Sequence, residues 1–97
     1  MMTVTANKEM NKLIGLLSAK GIPFEVAASV WHDEARIIIC SPSVEECQLD
    51  AVSHYYSYGG QQGLIEIMGH GDGAEITNDD VVGWLSAEEA LAFFERL

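Results

Sequence analysis

Three histidines, two cysteines and one strand glutamate carry the side-chain chemistry from which a metal centre or a nucleophilic site would be built: His32, His54, His70, Cys40, Cys47 and Glu66. Their spacing matches no CxxC, HxxxH or HExxH pattern, so no metal is expected, and His32 and His70 are expected in solvent-facing turns. The acidic stretch DGAEITNDD (72–80) offers oxygen donors for a hard cation, but it breaks the D-x-D-x-D-G spacing and lacks the closing glutamate. A nucleophile with its base is equally incomplete. Ser53-x-Tyr55, Cys40 and His54 are fragments, and the nearness of Cys47 to His54 in the chain makes no dyad. Glu66 is embedded in the apolar run LIEIM, where a carboxylate on the solvent face of a strand is a more ordinary reading than a general base. The chain is therefore expected not to be an enzyme, and no cofactor is implied.

The glycines of SYGGQQGLIEIMG (57–69) raise the question of a phosphate cradle. Such a loop must lead from a strand into a helix N-terminus, where amides and dipole converge on the anion. Here a strand pattern follows the glycines and no GKS or GKT is present, so the stretch reads as a turn between strands. Beside it stand Tyr55, Tyr56 and Tyr58, which are candidate recognition anchors or the aromatic edge of the core.

The elements that must position these residues follow from periodicity. Met10, Leu13, Ile14 and Leu17 form one stripe of a helix over 6–20, with Thr5 as its cap and Gly21 and Pro23 as its end. FEVAASVW (24–31) and ARIIIC (35–40) read as a hairpin turning at His32-Asp33-Glu34. A third strand is expected over 48–56, with a helix across 44–56 as the alternative; a fourth covers 64–68, with Leu64, Glu66 and Met68 on one side, Ile65 and Ile67 on the other, and one face buried. Residues 69–78 read as a long loop. Ser86 and Glu89 form a capping box ahead of AEEALAFFERL, the last helix. The expected fold is α+β, a two-layer α-β-β-β-β-α domain spanning 1–97, with an antiparallel sheet of about four strands packed by two terminal helices. Antiparallel order follows because the connections are too short for parallel crossovers.

The net charge of −10 opposes direct binding to nucleic acid or to a membrane surface. Its distribution is lopsided. Residues 1–44 hold four acids and four bases, whereas 45–97 hold eleven acids against Arg96 alone. The early residues lack the pattern of a secretory leader and the two cysteines do not make a disulfide framework, so a cytoplasmic protein with free thiols is expected.

SYGGQQGLIEIMG (57–69), VVGWLSAEEAL (81–91) and the opening TANKEMNKLIGLLSAKGIPFEV resemble small acidic proteins of unknown role carried by phages and mobile elements of Gram-positive gut bacteria. In those proteins an acid usually stands where this chain has Lys8, completing a capping box with Thr5. The resemblance implies a phage-associated context and supplies no catalytic residue. By size and charge it extends to inhibitors of host defence such as anti-CRISPR proteins. The expectation is a binder whose carboxylates Asp72, Glu75, Asp79, Asp80, Glu88, Glu89 and Glu95 form a face, a DNA mimic directed at a basic, nucleic-acid-handling protein. The alternative is a structural or assembly protein of a phage or mobile element, joined to itself through the open sheet face or an edge strand in a homodimer that buries the Tyr55–Tyr58 region.

Overall fold

The computed structural model describes residues 7–31 and 34–97. Helix α1 (Lys8–Ala19) opens at Asn7, whose Oδ1 accepts the Met10 N–H at 2.9 Å; the expected cap Thr5 lies outside the described residues. Its stripe of Met10, Leu13 and Leu17 is fully buried, and the chain leaves through Gly21 at φ +68. Strands β1 (Glu25–Trp31) and β2 (Glu34–Ser41) form the expected hairpin, with Trp31 opposite Glu34; its tip, His32-Asp33, lies outside the described residues. β3 (Leu49–Val52), β4 (Ile65–Gly69) and β5 (Val81–Leu85) follow, and α2 (Ala87–Phe94) closes the chain.

The sheet is an antiparallel meander in the order β1-β2-β3-β4-β5. Among the described residues it has five strands where about four were expected: VVGWL pairs with β4, Val82 opposite Ile67 and Leu85 opposite Ile65, through a register irregularity between Ile65 and Ile67. Two further expectations are corrected. The third strand stops at Val52, because the Ser57 hydroxyl accepts from the His54 N–H and donates to the His54 carbonyl, folding 54–57 into a turn. Residues 71–77 are not an open loop but a 3-10 helix, ending where Asn78 and Asp79 take φ +55 and +59.

Ile39, Ala51 and Ile67 lie side by side on one sheet face, with Leu49, Ile65 and Leu85, and all are buried. Both helices cover that face, adding Met10, Leu13 and Leu17 from α1 and Ala87, Ala90, Leu91 and Phe94 from α2. The fold is α+β in two layers. The two helices run side by side in the same direction. Glu9 Oε1 accepts the Ala87 N–H at 2.8 Å at one end, Lys12 pairs with Glu88 next, and Lys20 reaches Glu95 at 3.7 Å at the other.

Among the described residues, no helix covers the opposite sheet face. Glu25, Cys40, Asp50, Met68 and Val81 form one row across all five strands, and Ile38, Val52 and Glu66 form the next. Among the described residues, no helix is long and apolar enough to cross a membrane.

Candidate functional site

The meander sorts the connections to two ends of the sheet. At one end lie the β2–β3 connection (42–48), the β4–β5 connection (70–80) and the C-termini of both helices. They are fastened together: the His70 N–H donates to the Gln48 carbonyl and the Gln48 N–H to the Ser41 carbonyl, both at 2.8 Å, while Gly69 and Gly73 bring backbone against backbone. An added Cβ at Gly73 would stand 2.8 Å from the Gln48 carbonyl carbon, inside van der Waals contact.

This end gathers Asp72, Glu75, Asp79, Asp80 and Glu95 from the expected acidic set, together with Glu45 and Glu46, which the sequence reading left out; all seven are exposed. Lys20, paired with Glu95, and Arg96, which donates to the Ile76 carbonyl, are the cations beside them. Because α1 and α2 are parallel, the negative ends of both helix dipoles add to the same end. Glu88 and Glu89 are elsewhere, at the N-terminus of α2. Lys12 pairs with Glu88 and holds its carboxyl below the usual range, and Glu89 accepts the Ser86 N–H in the expected capping box. Residue order alone suggested seven equivalent carboxylates; helix direction separates them.

The other end is aromatic. Tyr58 and Trp84 stack with ring centroids 5.3 Å apart and planes within 4°, and Tyr55 meets Tyr56 edge-on at 5.1 Å. Tyr55, Tyr56, Tyr58 and Trp84 are all at least half exposed. The Trp84 N–H donates to the Tyr58 carbonyl at 3.1 Å and Trp84 sits at φ +56, a conformation that disfavours a bulky side chain. Gly59 permits it, since a Cβ there would lie 2.8 Å from Trp84 Cα. The glycines of 59–63 therefore shape an aromatic turn, through a 3-10 turn at 60–62, rather than an anion cradle.

On the open sheet face, near the acidic end, the fold brings together residues that spacing kept apart. His70 Nε2 lies 2.5 Å from Asp50 Oδ2, and donor atoms of Cys47, Asp50 and His70 all fall within 4.8 Å of one another. Both cysteines are free thiols. The Cys47 thiol donates to the Leu49 carbonyl at 3.3 Å. Burial, reinforced by the neighbouring Cys40 thiol and Asp50, pushes its pKa up to about 12, so it is a thiol and not a nucleophilic thiolate at neutral pH. Burial also raises Cys40. Glu66, on the same face, is raised by burial and then by Asp50, while the Tyr58 amide partly offsets both. The signal for this cluster was absent from residue spacing because its members come from a loop, a strand and a second loop, 3 and 20 residues apart.

No known protein family, curated protein or solved structure matches the chain.

Proposed function

We propose that this chain is a non-enzymatic binding protein that presents its acidic end to a basic, nucleic-acid-handling protein and occupies the ground a phosphate backbone would take. The observation that supports this reading is the convergence of Glu45, Glu46, Asp72, Glu75, Asp79, Asp80 and Glu95 with two parallel helix C-termini at one end of the sheet. Carboxylates fixed on a rigid frame attract Lys/Arg grooves at long range and hasten encounter at low salt. The high Cys47 pKa opposes nucleophilic chemistry at that thiol. The resemblance to small acidic phage and mobile-element proteins gives the context, a cytoplasmic inhibitor of a host defence system of the anti-CRISPR kind.

The test uses immobilised protein and its D72K/E75K/D79K/D80K variant, exposed to the basic proteins of a bacterial host. A partner held by the parent should elute at moderate salt, be displaced by duplex DNA, and be absent from the variant. A partner retained equally by the variant refutes the reading.

The exposed Tyr58–Trp84 stack, held in a strained backbone, favours one second reading: self-assembly into a homodimer through the aromatic end. Light scattering that finds a dimer disrupted by Trp84→Ala supports it. A strict monomer across a wide concentration range rejects it.

A further inference from the structure

We propose that Cys47, Asp50 and His70 form a binding site for a zinc-class divalent cation at the edge of the open sheet face. The argument is independent of the acidic-end reading and rests on donor chemistry and placement. One sulfur, one carboxylate oxygen and one imidazole nitrogen lie within 4.8 Å of one another. Zinc takes such ligands at ~2.0–2.3 Å, so modest side-chain adjustment closes the set around an ion. A soft sulfur beside nitrogen and oxygen selects zinc, or cobalt as its spectroscopic substitute, over calcium or magnesium, which prefer oxygen alone.

The backbone beneath the donors is held in place. Asp50 sits within β3, paired to Cys40 on one side and Met68 on the other. The residue next to Cys47, Gln48, bonds through its amide to Ser41 and through its carbonyl to the amide of His70 itself. The two loop ligands are thus tied to each other by main chain. None of the three side chains is fully exposed, so the ion would be partly withdrawn from water, with one position left for a water or for a partner's side chain. Asp50 Oδ2 and His70 Nε2 face the same point, and the two side chains would part slightly to admit the cation. Binding converts the Cys47 thiol to a metal thiolate, its proton leaving to solvent. Occupation would clamp 42–48 to 70–80, the two segments that carry most of the acidic end.

The test titrates reduced, full-length protein with Co²⁺ and then Zn²⁺. Expected are one equivalent of Co²⁺ bound with thiolate-to-metal charge-transfer absorption, displacement of that absorption by Zn²⁺, and a higher Tm with Zn²⁺. Cys47→Ser should abolish the charge-transfer band, and His70→Ala and the near-isosteric Asp50→Asn should each weaken binding more than about tenfold. His54→Ala, at the opposite end of the sheet, should bind as the parent does. The proposal is overturned by a folded parent that shows no charge-transfer band. It is equally overturned by a band that survives in Cys47→Ser, or by affinity unchanged in both His70→Ala and Asp50→Asn, with circular dichroism confirming that each variant is folded.

Discussion

Adding one methyl group at two glycines should move stability in opposite directions. Gly73 is buried in the 3-10 segment, and its φ lies outside the left-handed region, so alanine can adopt its backbone conformation and the effect falls on the new Cβ alone. That atom would stand 2.8 Å from the Gln48 carbonyl carbon and 3.0 Å from Gln48 Cβ, with the carbonyl oxygen closer still. Because the obstacle is main chain on a neighbouring connection, it cannot rotate away. Overpacking of this kind costs ~1–3 kcal/mol, and in a domain of this size each kcal/mol moves Tm by ~4–8 °C. Gly73→Ala should therefore melt roughly 4–24 °C below the parent. Gly15 is exposed within α1 and a Cβ there meets nothing within 4 Å. Gly15→Ala should gain ~0.5–1 kcal/mol, because alanine loses less backbone entropy in a helix. Thermal denaturation followed by circular dichroism reads both. A Gly73→Ala protein as stable as the parent, or a Gly15→Ala protein less stable, would refute the reasoning from contact geometry.

Phe94, 1% exposed between the two layers, should cost ~3–5 kcal/mol on replacement by alanine, read as a fall in the urea midpoint. Ser86→Ala removes the hydroxyl that accepts the Glu89 amide and should lower stability by ~1 kcal/mol, measured in the same way. Glu66 supplies a pH test. Burial, then Asp50, raises its folded pKa, so the folded state holds the proton more tightly than the unfolded chain. The stability this confers is complete below the unfolded pKa of ~4.3 and is lost as pH rises through the folded value. Glu66→Gln should therefore gain on the parent between pH ~4 and neutrality, and a difference that stays constant across that range would contradict the assignment.

Local patterns carried the helices and the first hairpin. The stripe of Met10, Leu13 and Leu17 and the Ser86–Glu89 box are short-range signals whose physics is complete within a few residues. β5 was hidden for a different reason. VVGWL contains a glycine and a tryptophan at positive φ, so neither alternation nor propensity marks it, and its pairing with β4 depends on a bulged register. The shortened β3 depended on the Ser57 hydroxyl, whose two bonds to His54 compete with the sheet. The acidic excess was legible as a count, but its division into two ends follows from helix direction, which appears only once α1 and α2 lie parallel. The thiol, carboxylate and imidazole cluster lay beyond any spacing rule, since strand register and the close approach of Gly73 to Gln48 assemble it.

The pairing of the first helix with the last sets the order in which the molecule can be completed. During synthesis, Met10, Leu13 and Leu17 emerge long before Ala90, Leu91 and Phe94, which cover the same sheet face. Until those late residues leave the ribosome, the early helix lacks its neighbour, and the part of the sheet face that they cover stays wet. Closure then demands contact between segments nearly the whole chain apart, and loop closure over such a separation must precede the contacts that reward it. Interrupting translation before Phe94 should leave a sticky, protease-sensitive chain instead of a smaller folded protein.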